Sequence, residues 1–361
     1  MPKRSISTAI RSLLTVTGAM LFAVGATAVA TPAAAAEQRE LVLLNWSEYL
    51  DPELVEKFEK QYGVKVKEVY YESDEERDKM MIDSDGKGYD LVLVDGTSIK
   101  TYVKRGWIAP LSERDLPNMR HIDARWRKAH EYAESHAVPY FWGTLGIAYR
   151  SDLVSQPLTS WKQFFRPAEE LRGKIAVIND TRDLVGMTLR SLGHSLNTND
   201  ESALAAAEFL LREQQPYVGS YEYITLDEES ALVTGDIWAT MVYSGDALVV
   251  QELNENIEYV IPSEGTSLWV DYLAVLQSSR NKDLAWAFIN FLNEPRHAAQ
   301  LAEFVYYPTP NKAAEEFLPA EFLEDELIYP DEATLARSEF YQELPPRVLR
   351  SYAGILARVV R

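Results

Sequence analysis

Four aromatic residues, Trp46, Tyr49, Trp269 and Tyr307, and five acids, Asp95, Asp180, Asp183, Asp246 and Asp271, each fall beside a strand end or a turn signal. Flat π faces attract ammonium groups and carry methylene chains, while carboxylates end and orient them, so this set suits an elongated polycation. An ammonium left unpaired in a closed cleft would cost several kcal/mol. A charge-assisted hydrogen bond returns roughly 1.5–3 kcal/mol, a cation–π contact about 0.5–2 and a buried methylene about 0.8. Two paired amines and an aromatic sandwich can then reach the −8 kcal/mol or so of micromolar binding. The same residue types also build structure: aromatics fill cores, and an aspartate after a strand caps a helix. Asp95 in particular could cap the helix that follows it or meet a protein cation such as Lys100.

Catalytic patterns are missing from the sequence. There is no cysteine. The five histidines, His121, His130, His136, His194 and His297, have no metal-ligand spacing, and there is no G-x-S-x-G, P-loop or G-x-G-x-x-G. His130 and His136 read as surface residues. Asp180 and Asp183, with Arg182 between them, look more like cation ligands than an acid/base pair. No catalytic residue, cofactor or metal site is therefore expected. With 55 acidic against 36 basic residues and a formal charge of −19, nucleic acid is excluded as a natural partner.

The N-terminus indicates a compartment. Lys3, Arg4 and Arg11 precede a mostly small or apolar stretch, residues 12–30, and Ala33-Ala34-Ala35-Ala36 offers a cleavage site before Glu37. Residues 1–36 thus read as a cleaved secretory signal peptide and the remainder as a periplasmic protein, with no cysteine for a lipid anchor or a disulfide. About 325 residues remain, enough for two lobes.

These side chains need elements to position them. Glu40–Trp46 is a short apolar run, Asp51-Pro52 starts a helix that reaches Gly63, and Val64–Tyr71 alternates as a strand. Ser73–Met81 is helical in composition, and Tyr89–Val94 is a buried-strand run. This β-α-β-α-β order predicts a parallel sheet with its ligand edge at Trp46–Tyr49 and Asp95–Thr97. A second sheet is predicted from Gly173–Ile178, with an apolar helix starting near Leu184 and further strands at Trp238–Tyr243 and Ile257–Pro262. Ala203–Arg212 and Ala285–Asn293 read as helices. With no long Pro/Gly/Ser linker, crossing strands should join the lobes.

Asn45-Trp46-Ser47-Glu48-Tyr49, Tyr89-Asp90-Leu91-Val92, Pro139-Tyr140-Phe141-Trp142-Gly143-Thr144, Trp269-Val270-Asp271 and Tyr307-Pro308-Thr309-Pro310-Asn311 occur in order along the chain. With Tyr329-Pro330-Asp331, they resemble the spermidine/putrescine-binding proteins of bacterial ABC importers. The resemblance covers nearly the whole chain after residue 36. It implies an α/β, two-lobed type II periplasmic-binding-protein fold, each lobe a mixed, mostly parallel sheet flanked by helices, joined by crossing hinge strands. Lobe 1 would comprise 37–147 and 270–314, and lobe 2 148–269 and 315–361.

By the same resemblance, Trp46, Ser47, Glu48 and Tyr49 line the pocket from the first-strand loop. Trp269 and Asp271 hold a terminal amine, Asp180 and Asp183 form an acid pair, Tyr307 is an aromatic wall, Tyr243 replaces a tryptophan, and Asp246 matches an acid of putrescine-selective members. Asp95 and Thr97 stand where serine and tyrosine are common, and Tyr341 or Gln342 takes the place of a glutamine. The acid gained at Asp95 predicts that a triamine or longer polyamine binds more tightly than putrescine. The implied partners are a polyamine and an inner-membrane ABC permease, or alternatively a membrane signalling receptor, with the protein itself a monomer.

Overall fold

The computed structural model describes residues 39–360; the expected signal peptide lies outside the described residues. Strand β1 (Glu40–Trp46) turns Leu41, Leu43 and Leu44 into the interior. It pairs in parallel with β2 (Lys65–Tyr71), from Glu40 against Lys65 to Trp46 against Tyr71. On its other side it pairs in parallel with β3 (Leu91–Asp95).

The helix between β1 and β2, Pro52–Tyr62, starts where the Asp51 carboxylate accepts from the Glu53 amide and proline occupies the first turn. It stops at Gly63, which adopts φ +66, and buries Leu54 and Phe58 from one face. The next helix, Asp74–Asp83, is capped by Ser73. This first unit has the order predicted from the sequence.

The remaining strands are β4 (Val138–Arg150), β5 (Ile175–Ala176), β6 (Val218–Ser220), β7 (Ala239–Tyr243), β8 (Ile257–Val260), β9 (Ser267–Val275) and β10 (Glu339–Phe340). Their order is β2-β1-β3-β9-β4-β7-β5-β6, with β10 beside β9 and β8 beside β4. The two lobes meet through β4: its first half pairs antiparallel with β9, whereas Leu145–Tyr149 pairs with β7. All thirteen residues of β4 are buried. Apolar layers cover both faces around the first unit, with Leu43, Phe58 and Phe288 in one layer and Tyr71, Val94 and Tyr272 in the other. A third core joins Ile147, Trp161, Leu184, Met241 and Tyr352 in the second lobe.

Three expectations are corrected. The strand predicted over Gly173–Ile178 contracts to the two residues of β5. The helix predicted to start near Leu184 spans Thr181–Ser191, because the Asp180 carboxylate accepts from the Arg182 and Asp183 amides and caps it a turn earlier. His130 is not a free surface residue: it packs edge-on to Tyr272 and Phe340. Burial lowers its pKa to about 4, so its imidazole is neutral, while His136 is partly exposed. Among the described residues no helix is long and apolar enough to cross a membrane.

Candidate ligand-binding site

The sequence-derived acids and aromatics gather along the edge where β1, β3, β5 and β7 end. Trp46 is the last residue of β1, Asp95 of β3 and Tyr243 of β7, while Asp180 follows β5. Asp246 lies in the first turn of the helix Ser244–Leu253. Antiparallel β9 places Asp271 opposite Asp95, and its alternation sets Trp269 and Asp271 on one part-exposed face between buried Leu268, Val270 and Tyr272. Tyr307 follows the helix Pro295–Val305, just past Tyr306 in the left-handed region at φ +58.

Two close approaches depend on glycine. Trp269 lies over Gly143 of β4, where a Cβ would come within 2.4 Å of the indole. Tyr307 lies over Gly245, where a Cβ would meet the phenol ring at 2.6 Å.

Tyr49, Tyr307, Trp269 and Tyr243 form a connected run of rings, and Trp46 has a ring partner of its own. Trp46 packs on Tyr71 with centroids 4.6 Å apart. Tyr49 meets Tyr307 edge-on at 6.1 Å, Tyr307 meets Trp269 at 4.8 Å, and Trp269 meets Tyr243 at 6.2 Å. The carboxylates are tied in by tyrosine hydroxyls. Tyr49 donates to Asp271 at 3.2 Å. Asp246 accepts from Tyr223 at 2.6 Å and from Tyr307 at 3.2 Å. Asp183 accepts from Tyr243 and Tyr341, both at 2.6 Å.

Tyr341 rather than Gln342 therefore faces the acids; Gln342 is exposed and offers its backbone carbonyl to Arg182. Ser47 and Glu48 lie exposed in the turn after β1, with Glu48 at φ +56. The indole N–H of Trp269 and the hydroxyl of Ser244 are buried without a hydrogen-bond partner.

At Asp95 the structure shows both alternatives that the sequence left open, hydrogen bonds from the backbone that follows and a protein cation. Its carboxylate accepts from the amides of Thr97 and Ser98 and from the Thr97 hydroxyl, and forms an ion pair with Arg77 at 2.7 Å. Lys100, the cation the sequence suggested, pairs instead with Glu131 and Glu343. Against the upward push of burial, Arg77 and the hydroxyls of Ser98 and Thr97 hold the Asp95 carboxyl well below the usual carboxylate range.

The other four acids are shifted the opposite way. Burial and the neighbouring Asp183 charge push Asp180 up to about 7. Burial and the Asp95 charge push Asp271 up to about 7, opposed by the Tyr49 hydroxyl and Arg77. Burial likewise raises Asp183 and Asp246, against the tyrosines that donate to them. Among the described residues none of these four forms an ion pair with a lysine, arginine or histidine; their partners are hydroxyls and backbone amides. Nor do three acidic or histidine side chains converge as a metal site. The site is thus a set of carboxylates without ion-pair partners, set among aromatic rings.

Arg77 and Tyr223, which contact the candidate acids Asp95 and Asp246, were not singled out by the sequence reading. Arg77 stands alone among Asp74, Glu75, Glu76 and Asp78, a pattern that reads as a solvated helix face. Tyr223 lies in irregular chain between β6 and Ala231, where nothing local marks it.

A sequence profile for bacterial extracellular solute-binding proteins matches residues 53–329. The chain is 33% identical over 328 residues to the spermidine/putrescine-binding periplasmic protein of Escherichia coli, covering 90% of this chain and 93% of that one. It is 32% identical over 322 residues to the norspermidine sensor of Vibrio cholerae, covering 89% and 88%. In structure it is similar to the spermidine/putrescine transporter substrate-binding protein of Streptococcus pneumoniae, solved with calcium and HEPES. That match has a TM-score of 0.80 and 29% identity, over 90% of this chain and 99% of the other. On the strength of this coverage and of the shared fold, the chain belongs to the bacterial extracellular solute-binding proteins.

Proposed function

We propose that the protein is a periplasmic polyamine-binding protein of the spermidine/putrescine class that closes around its ligand and delivers it to an inner-membrane ABC importer. The observation that carries this reading is the set Asp180, Asp183, Asp246 and Asp271, four buried or half-buried carboxylates in no ion pair with a protein cation among the described residues, interleaved with Tyr49, Tyr307, Trp269 and Tyr243. An α,ω-diamine or triamine supplies what they lack: separated cations joined by methylenes that lie on ring faces. A sugar offers no charge and an anionic solute the wrong one.

Asp271 pairs a terminal ammonium while Trp269 covers the adjacent methylenes. Asp246 and the Asp180/Asp183 pair hold the other amine or amines, and Trp46, Ser47 and Glu48 rim the cleft. The lobes, 37–147 with 270–314 and 148–269 with 315–361, move about β4 and β9. The protein works as a monomer and does no catalysis. A signal peptide over residues 1–36 would place it in the periplasm.

Thermal unfolding of the mature chain tests the reading. Putrescine, cadaverine, spermidine, norspermidine or spermine should stabilise it by about 2.7 kcal/mol at a hundredfold excess over Kd, and neutral sugars should not. No shift with any polyamine refutes it. The similarity to the norspermidine sensor supports a second output, docking of the loaded protein on a membrane signalling receptor. Stimulation of the ATPase of a permease encoded beside it, by loaded but not by empty protein, separates import from sensing.

A further inference from the structure

Arg77 is 1% exposed, and its whole fork is engaged. Nη2 donates to Asp95 at 2.7 Å and to Asp78 and Ser98 at 3.0 Å, Nη1 donates to Asp74 at 2.5 Å, and Nε donates to the Tyr102 hydroxyl at 3.1 Å. The guanidinium carbon lies 5.8 Å from the centre of the Tyr71 ring, which carries Trp46 as a neighbour. Trp46, Tyr71 and Arg77 therefore form one series of contacts. In the sheet, Asp95 stands directly opposite Asp271. The protein has thus placed its own cation on the carboxylate next to the one proposed to anchor a terminal amine.

We propose that Arg77 is a specificity-determining residue: an internal cation that occupies Asp95 and ends the binding site at Asp271, so that no further ligand amine is accommodated beyond it. This rests on the polyamine reading and deepens it. The physical grounds are charge and space. A carboxylate already paired with a buried guanidinium gains little from a second cation, which would instead be repelled by Arg77. The guanidinium is itself buried, 5.9 Å from the centre of the Tyr102 ring, so the space it fills beside Asp95 is closed to a ligand amine. Asp95, counted from sequence as a surplus acid that would favour triamines and longer ligands, is thereby removed from the ligand set. The amines must be spaced toward Asp246, Asp180 and Asp183 instead.

Calorimetric titration of the full mature chain with putrescine, spermidine and spermine tests this in wild type, Asp95→Asn and Arg77→Gln. In Asp95→Asn the ratio of spermidine to putrescine affinity should stay within about threefold of wild type, since both ligands meet Asp271 and neither meets Asp95. In Arg77→Gln the ratio should move toward the longer amines by about tenfold or more, as an extra ammonium takes the vacated carboxylates. A folded Arg77→Gln protein with unchanged ratios overturns the proposal. So does an Asp95→Asn protein that loses spermidine affinity but keeps that for putrescine, an outcome that stands whether or not the Arg77 variant folds. Wild type that binds no polyamine would sink the polyamine reading and this inference together, whereas binding with unaltered ratios in Arg77→Gln would sink this inference alone.

Discussion

Asp271→Asn should stabilise the empty protein while weakening it as a receptor, and the two effects should separate by pH. Burial and the adjacent Asp95 charge push the Asp271 carboxyl up to about 7 in the folded state, against about 3.9 in an unfolded chain. A group raised in this way favours folding fully below its unfolded value, and that contribution is lost as pH rises through 7. Three units correspond to about 4 kcal/mol of strain in the ionised form at pH 8, which partial exposure of the side chain reduces to about 2–4. Asparagine keeps an oxygen that can accept from Tyr49 and removes the charge. The empty variant should therefore unfold several degrees above wild type at pH 8, at about 2 °C per kcal/mol for a chain of this size, and by only about a third as much at pH 5, where the native carboxyl is protonated but the unfolded one is still ionised. Its putrescine affinity at pH 8 should fall by about 2 kcal/mol or more. Paired unfolding curves at the two pH values, with and without putrescine, read both effects. If the variant is destabilised at pH 8 as much as at pH 5, Asp271 is a structural acid and the argument from its unneutralised charge fails.

Two further outcomes follow from the same geometry. Because Asp180 and Asp271 must be ionised to hold ammonium groups and each sits near 7 when empty, polyamine binding should release protons and weaken by up to about tenfold per group for each pH unit below 7. Calorimetry in buffers of different ionisation enthalpy measures the release, and affinity flat from pH 8 to 5.5 would contradict it. Gly245→Ala touches no acid, yet its Cβ must displace the Tyr307 ring, breaking the hydroxyl bond to Asp246 and the edge contact with Trp269. A loss of about 1–2 kcal/mol in putrescine binding is expected, together with about 1–3 kcal/mol of stability from overpacking against the buried ring. Unchanged binding would take Tyr307 out of the site.

The first unit was legible because each local signal agreed with its neighbours: Asp51-Pro52 and Gly63 bound a helix whose Leu54 and Phe58 spacing buries one face, between two apolar runs. β4 was not legible as a strand. A crossing strand covered on both faces has no alternation to read, and Pro139, Gly143 and Gly146 within it look like punctuation until Trp269 and Tyr259 are seen to fill the space over the glycines. In the site, the acids and aromatics announced themselves by type and by their position at strand ends. Two of their tyrosine partners did not: Tyr341 entered only through the family resemblance, and Tyr223 not at all. Tyr223 and Tyr341 reach Asp246 and Asp183 from irregular or terminal segments, and no spacing rule links position 341 to position 183. Asp95 shows the cost: its type was read correctly, but its role depended on Arg77, eighteen residues earlier, on a helix that looked like ordinary charged surface.

The choice of tyrosine as the resident partner of these acids has a physical logic that a basic partner would not have. A lysine or arginine on Asp183 or Asp246 would neutralise it, as Arg77 does for Asp95, and an arriving ammonium would have to compete with a tethered cation at high effective concentration. Leaving the carboxylate with no donor would cost more than the fold could readily bear. A hydroxyl lies between the two. It returns about 1 kcal/mol as a donor and leaves the charge and the remaining lone pairs for the ligand. It also brings a ring whose face can take the ligand's methylenes. Asp183, Asp246 and Asp271 are each held by such hydroxyls, from Tyr243 and Tyr341, from Tyr223 and Tyr307, and from Tyr49. Empty, the cleft is an ordered polar network whose acids sit above their usual pKa values; in the loaded state proposed above, the same acids keep their tyrosines and gain a cation. The difference between those two states is the binding free energy, and it is available only because no protein cation has already taken those acids.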